Sequence, residues 1–294
     1  MRDWIGHVLG SRLMTTGNVE QSEFWERRAA DWIAGTQYTD IVTGSFGVDA
    51  LERLALAPGQ RVIDIGCGTG ATTVELARRV VPAGEALGID ISPTLVAASK
   101  ATASNASVDN ISFRVADAQV DSLGDRDVDA VYSRFGVMFF ADPVAAFANI
   151  RNALRPDGEI GFACWQSVFD NEWMLVPGGA AMSVTGTPPP MPGPGEPGPF
   201  SLADADHLAS VLTDAGFRDV EITSALHPVS LPAAQLDLLA SSSQQVGAVR
   251  EVLKTADVET TSRIEGAIRD ALSARIQDGV ISLSAAAHIV HARA

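Results

Sequence analysis

The chain has 294 residues, 46% of them hydrophobic, so it can bury a substantial core. Its 36 acidic against 21 basic residues give a net charge of −15, which disfavours nucleic acid and anionic membrane surfaces as partners. No run approaches the roughly 20 consecutive apolar residues of a membrane span, and two cysteines are too few for a disulfide framework or a zinc site, so no metal is expected.

Met1 to Leu13 shows no signal-peptide pattern, and a cytoplasmic protein is expected. Met14, before Thr-Thr-Gly, reads as an alternative start, which would make the preceding residues a loose extension. Residues 20–57 read as amphipathic helix, with Phe24, Trp25, Trp32, Ile33, Leu51 and Leu54 apolar and Pro58-Gly59 as the stop. Residues 1–57 are therefore expected to cap a domain spanning 58–294.

An alternating rhythm follows. Arg61 to Ile65 is a short apolar strand, Gly66 to Gly70 a turn, and Ala71 to Val81 a helix with Val74, Ala77 and Val81 on one face. Ala86 to Asp90 is a second strand. Ser92-Pro93 opens a helix, with serine as N-cap and proline in the first helical position. Ile111 to Val115 and Val128 to Tyr132 are the third and fourth strands, and Asp142-Pro143 caps a helix that stops before Pro156. Glu159 to Cys164 is the fifth strand. Alternating strands and helices imply a parallel sheet with right-handed crossovers. Cys67 and Cys164 fall on the first and fifth strands with the fourth between them, roughly 10 Å apart, and are read as free thiols.

Beyond the fifth strand the rhythm breaks. Trp165 to Phe200 is long and ends in a Pro/Gly-rich run, Thr187 to Pro199, which reads as a functional cover. A helix at Asp204 to Ala215 closes at Gly216, and Val220 to Leu226 is a sixth strand. Ala233 to Gln277 is mostly helical, with Ile264, Ile268, Leu272 and Ile276 as one stripe, and Ala285 to His291 is a last strand. Residues 165–203 and 232–284 are thus expected to be cap insertions.

The densest signal is Val62-Ile-Asp-Ile-Gly-Cys-Gly-Thr-Gly70, a buried strand running through glycines into a helix. Gly66, Gly68 and Ala71 satisfy the spacing of a dinucleotide site, so the glycines leave two ligand classes open. Asp64 separates them: its carboxylate would crowd a pyrophosphate but suits a ligand carrying ammonium and sulfonium groups. Asp90, at the end of the second strand, can accept hydrogen bonds from ribose hydroxyls, and Ile91 would pack on an adenine face.

Asp64 to Gly70, Gly88-Ile-Asp90, Ala116-Asp117-Ala118, Ser133-Arg-Phe-Gly136 and Leu154-Arg-Pro-Asp-Gly158 follow one another in that order. Together they resemble the successive motifs of class I S-adenosylmethionine-dependent methyltransferases, with most similarity to the ubiquinone/menaquinone C-methyltransferase-like branch. The resemblance implies an α/β, doubly wound, Rossmann-like seven-stranded sheet in the order 3-2-1-4-5-7-6, its seventh strand antiparallel, with a helical cap. It implies S-adenosyl-L-methionine as cofactor, held by Asp64, Gly66, Cys67, Gly68 and Gly70. Asp90 and Ile91 would meet the nucleoside. Asp117 would bond the adenine amino group, with Ala118 beside the ring. Ser133 to Phe135 would pass beneath the methionine end, the Ser133 carbonyl taking its ammonium. Trp25 or Trp32 would cover the cofactor. The family usually has two glycines after the proline of the last motif; this chain has Asp157-Gly158.

Methyl transfer is an in-line displacement at a sulfonium carbon, so the protein mainly supplies alignment and desolvation. No catalytic base is named: His7, His207, His227, His288 and His291 all read as structural or surface histidines. Ser-Arg-Phe-Gly replaces the Asn/Asp-Pro-Pro-Tyr/Phe of many enzymes that methylate nucleic acid or protein amines. The expected acceptor is a small, largely apolar molecule facing Arg134 and Met138 under a cover built from Phe24 to Tyr38 and from Trp165 to Phe200 and lined by Trp173, Met174, Met182 and Phe200. Two other readings are an NAD(P)-dependent oxidoreductase, which would have no use for Asp64, and a non-catalytic S-adenosylmethionine-binding module.

Overall fold

The computed structural model describes residues 17–193, 195–244 and 247–294. The expectations about Met1 to Met14, including His7, lie outside them. Two helices come first, α1 (Val19–Ala34) and α2 (Thr36–Arg53). The alternating region follows as β1 (Arg61–Ile65), α3 (Ala71–Arg79), β2 (Glu85–Asp90), α4 (Pro93–Ala106), β3 (Ile111–Val115), β4 (Val128–Arg134), α5 (Pro143–Ala153) and β5 (Leu154–Trp165). The remainder is α6 (Glu172–Thr185), α7 (Ala205–Asp214), β6 (Arg218–Leu226), β7 (Val229–Pro232), α8 (Leu236–Ser243), α9 (Gly247–Leu253), α10 (Val258–Ser273), β8 (Ile276–Gln277), β9 (Val280–Leu283) and β10 (Ala286–Arg293).

The main sheet has seven strands in the order β3-β2-β1-β4-β5-β10-β6. β10 runs antiparallel to both neighbours, whereas the five strands before it are parallel. This is the doubly wound order expected, with β10 as the seventh strand. Chain order reverses between β1 and β4, and such switch points open a crevice at the carboxyl ends of the strands. β1 is buried from Val62 to Ile65, as a central parallel strand must be. α3 and α4 pack along β1, β2 and β3, α2 lies along β4, β5 and β10, and α5 pairs with α7 beside β5 and β6.

The helix starts follow their chemistry. Ser92 accepts a hydrogen bond from the Leu95 N–H, Asp142 from Ala145 and Asp204 from His207, and prolines open α4 and α5. Asp157 has φ +65°, the left-handed conformation that favours glycine there.

Four features differ from the sequence expectation. The stretch read as a long cover contains α6, whose Pro177 and paired glycines disguise a helix that packing against α10 maintains. The helical stripe ends at Leu272; Ile276 has left the helix and belongs to β8. β7, β9 and β8 form a small antiparallel sheet, so the cap is not purely helical. Its tight turn is Asp278-Gly279, both with positive φ. Cys67 follows β1 rather than lying on it, and Cys67 and Cys164 are both buried and free.

Candidate active site

The glycine turn after β1 is fixed from three sides. A Cβ on Gly66 would lie 2.9 Å from the Cα of Gly136, so the loops after β1 and β4 touch backbone to backbone. Ser133 locks that contact, donating its hydroxyl to the Ile65 carbonyl at 2.7 Å. The Cys67 N–H donates to the Ile89 carbonyl at 2.9 Å, and the Gly68 N–H to Asp90 Oδ2 at 3.0 Å. Asp90 Oδ1 accepts from Ser92 N at 2.9 Å, so one carboxylate ties the turn to the start of α4. Burial pushes the Asp90 carboxyl above the usual range.

Asp64 is the turn's anchor from behind. It is buried, and Oδ2 accepts from the Thr72 and Thr73 hydroxyls at 2.6 and 2.7 Å, binding β1 to the first turn of α3. Its Oδ1 is buried without a partner. Burial raises its carboxyl to about 6, against those two hydrogen bonds.

Above the turn lies a cavity of about 360 Å³. Its floor is Gly66, Cys67, Gly68, Asp90 and Ile91, continuing to Ala116, Asp117 and Ala118. α1 forms the roof. Trp32 Nε1 is 3.4 Å from where a Gly68 Cβ would be, and Trp25 stands edge-on to Trp32 and Phe139. α1 is fastened at both ends of this roof. Glu26 accepts hydrogen bonds from the Ser92 and Thr94 hydroxyls, which lower its carboxyl, the Ser92 bond most. Arg28 pairs with Glu251, and Asp31 with Arg250, joining α1 to α9. The far end is aromatic: Phe135 stacks on Trp165 at 4.0 Å, with Trp173 5.0 Å beyond, and Met138 and Met174 complete the wall. Phe135 holds φ +62°, a strained conformation for a bulky residue, and aims its ring along this wall.

Of the residues singled out in the sequence, Gly66, Cys67, Gly68, Asp90, Ile91, Asp117, Ala118, Phe135, Trp32, Arg134, Met138 and Trp173 line the cavity. Asp64, Gly70, Ser133 and Phe200 do not. Asp64 and Ser133 are turned into the loop's own hydrogen bonds. Gly70 starts α3 with φ +86° and packs on Ser99 and Phe113. Phe200 packs against the core, and Met182 is exposed; prolines 190, 192, 197 and 199 line the cavity from that segment instead. Asp117 is already engaged: Asn18 donates its backbone N–H at 2.7 Å and its side-chain amide at 2.9 Å, so a purine amino group would share that carboxylate.

Sequence reasoning missed Asn18, Asp40 and Thr72, and had Tyr38 and Trp165 only as ends of the two cover segments. Tyr38 lines the cavity with a buried hydroxyl that has no partner, and burial pushes its phenol far up. Asp40 pairs with Arg134 at 2.8 Å. Trp165 carried a signal, since it ends the fifth strand at the switch side of the sheet. Among the described residues no group of His, Cys, Asp and Glu side chains gathers as a metal site. None of their helices is long and apolar enough to cross a membrane.

Residues 62–158 match the family described as "Methyltransferase domain". Over that segment, which is less than half of the chain, the protein is similar to methyltransferase domains. The chain is 36% identical over 104 residues to aklanonic acid methyltransferase DauC of Streptomyces sp. (strain C5), covering 35% of this chain and 47% of that protein. It is equally similar to nocamycin O-methyltransferase of Saccharothrix syringae, 36% over 104 residues, covering 35% and 37%. The chain thus spans less than half the length of these curated relatives. The fold is that of the YcgJ protein of Bacillus subtilis, with a TM-score of 0.56 at 17% identity, covering 85% of this chain and 97% of that one. It is also that of phosphoethanolamine N-methyltransferase 2 of Haemonchus contortus, with a TM-score of 0.55 at 15% identity, covering 94% and 59%. The particular likeness to the ubiquinone/menaquinone branch is not among these similarities; the natural-product methyltransferases are.

Proposed function

We propose that the chain transfers the methyl group of S-adenosylmethionine to an oxygen of a small, largely apolar molecule. The observation that carries this reading is a single cavity with a glycine turn and Asp90 at one end and Phe135, Trp165 and Trp173 at the other. The names of the two natural-product relatives support a small acceptor, and one of them supports oxygen.

In this reading Gly66, Cys67 and Gly68 offer backbone to the cofactor, and Asp90 meets the ribose. Ile91 and Ala116 to Ala118 hold the adenine, and Trp32 covers it. Asp64, Gly70 and Ser133 act from behind by fixing the turn. The fit rests on the turn itself, where a Cβ at Gly66 would collide with Gly136 and one at Gly68 would fill the space below Trp32. When bound, the cofactor supplies a methyl carbon activated by its sulfonium. The protein orients the acceptor in line with it and keeps water out, which the aromatic wall and α1 are built to do. The described parts of residues 1–57, 165–203 and 232–284 act as the cap of a domain spanning 58–294. The nicotinamide-dependent and non-catalytic readings have no support.

The test is calorimetry with S-adenosylhomocysteine followed by methyl transfer from radiolabelled S-adenosylmethionine to a panel of apolar phenols and acids. One-to-one binding and label in an organic product are expected. Absence of S-adenosylhomocysteine binding would remove the reading.

A further inference from the structure

The groups around the cavity differ in what they are free to do. Among the described lining residues there is no histidine and no lysine. Asp31 and Glu251 are paired with Arg250 and Arg28. Asp90 and Asp117 accept backbone N–H bonds, and Asp117 also holds Asn18. Cys67 and Tyr38 are both driven toward their protonated forms by burial. None of these is arranged to take a proton from an acceptor.

Arg134 is arranged differently. Its stem lies on α2 at Gly47, where a Cβ would come within 2.6 Å of Arg134 Cδ, so only glycine leaves that path open. Its guanidinium is held at one end by a single bond from Nη2 to Asp40 Oδ1. Both side chains line the cavity, Arg134 21% and Asp40 42% exposed, so the guanidinium edge not bonded to Asp40 is within reach of a ligand there. A guanidinium carries five N–H donors, and this pair uses one. Phe135, the next residue, brings the Trp165 stack alongside.

We propose that Arg134 is an anion receptor that selects an acceptor already ionised at neutral pH: an oxygen acid carried on a planar apolar body lying against Phe135 and Trp165. This rests on the methyltransferase reading and narrows its substrate class. The step balances without a base. A lone pair of the anionic oxygen forms the new bond to the methyl carbon, and the carbon–sulfur bond breaks with its electrons remaining on sulfur. An anion and a sulfonium become an ester or ether and a thioether, and no proton has to leave. A fork of N–H donors recognises a carboxylate or enolate geometrically as well as electrostatically.

The experiment uses the full chain saturated with S-adenosylhomocysteine. Anthraquinone-2-carboxylate and the isosteric anthraquinone-2-carboxamide are titrated by quenching of tryptophan fluorescence. The acid is expected to bind at least tenfold more tightly than the amide. Arg134→Gln should abolish that preference, Arg134→Lys should restore part of it, and both should keep S-adenosylhomocysteine affinity within threefold. With S-adenosylmethionine, the acid should give its methyl ester. Equal affinity for acid and amide, or no binding of either while S-adenosylhomocysteine binds, overturns the proposal. So does an Arg134→Gln variant that keeps the acid preference but loses cofactor affinity, which would assign the guanidinium to the cofactor's own carboxylate. Failure of S-adenosylhomocysteine to bind the wild type is a separate outcome, against the methyltransferase reading itself.

Discussion

The two carboxylates that flank the glycine turn are held differently, and the difference is measurable. Asp64 is buried with one oxygen satisfied by Thr72 and Thr73 and the other without a partner. Its carboxyl rises from 3.8 to about 6 on burial. The folded state then binds the proton more tightly than the unfolded chain, so stability falls as pH rises from about 4 to about 6 and is level above that. The scale is at most about 3 kcal/mol, from 1.36 kcal/mol per pKa unit. Asp64→Asn keeps an oxygen for both threonines and removes the charge. Its melting temperature should exceed wild type at pH 7 and converge with it near pH 4; parallel curves across that range would show that the charge is not the cost. Asp90, by contrast, is exposed to the cavity and bonds Gly68 N. Asp90→Ala should weaken S-adenosylhomocysteine binding by about 1.5–3 kcal/mol, the scale of hydrogen bonds to a charged group, as read by calorimetry. Gly68→Val should abolish binding in a folded protein, because φ is +56° there and Trp32 closes the space above.

At the scale of elements, the sequence showed the strands of the main sheet and the glycine turn because both are local: apolar runs of strand length, and glycines where the backbone must take positive φ. It also named Trp25, Trp32 and Arg134 as candidates, and all three line the cavity. It did not show α6, whose Pro177 and glycines argue locally against a helix while burial of Trp173 and Ala181 argues for one from a distance. The small sheet was legible in principle from Asp278-Gly279 but its strands are two to four residues long. Asn18 on Asp117 and the α1–α9 ion pairs join residues separated by 99 to 223 positions, which no local pattern encodes. Those ion pairs carry a consequence for exchange. Arg28→Glu should speed S-adenosylhomocysteine release severalfold in stopped flow, since partly exposed pairs contribute about 0.2–1 kcal/mol. Arg28→Glu combined with Glu251→Arg should return it toward wild type. The proline segment acts on the other side of the cavity. Replacing residues 184–195 by a short Gly/Ser linker should spare cofactor affinity and lower turnover at least tenfold, about 1.4 kcal/mol of barrier. Unchanged turnover would take prolines 190 and 192 out of the acceptor site.

For the whole molecule, the proposed cofactor site is assembled from parts that lie far apart in the chain. The floor comes from β1, β2 and the turn after β3, the wall from the ends of β4 and β5, and the roof from α1, which α9 holds in place. A ligand that touches all of these should report on the folding of the entire assembly rather than on one loop. Saturation at one hundred times the dissociation constant stabilises the folded state by about 2.7 kcal/mol. For a chain of 294 residues that corresponds to a rise in melting temperature of about 4 °C, using about 2.1 cal/mol/K of unfolding entropy per residue. S-adenosylhomocysteine should give that shift as a single displaced transition. NAD should give none, because the Asp64 carboxylate lies directly behind a turn that in a dinucleotide site must receive a pyrophosphate. A shift with NAD and none with S-adenosylhomocysteine would overturn the cofactor assignment. A shift confined to part of a split transition would show that the cap of α6 and α8 to α10 unfolds apart from the sheet, and that the roof binds the ligand without joining its fold to it.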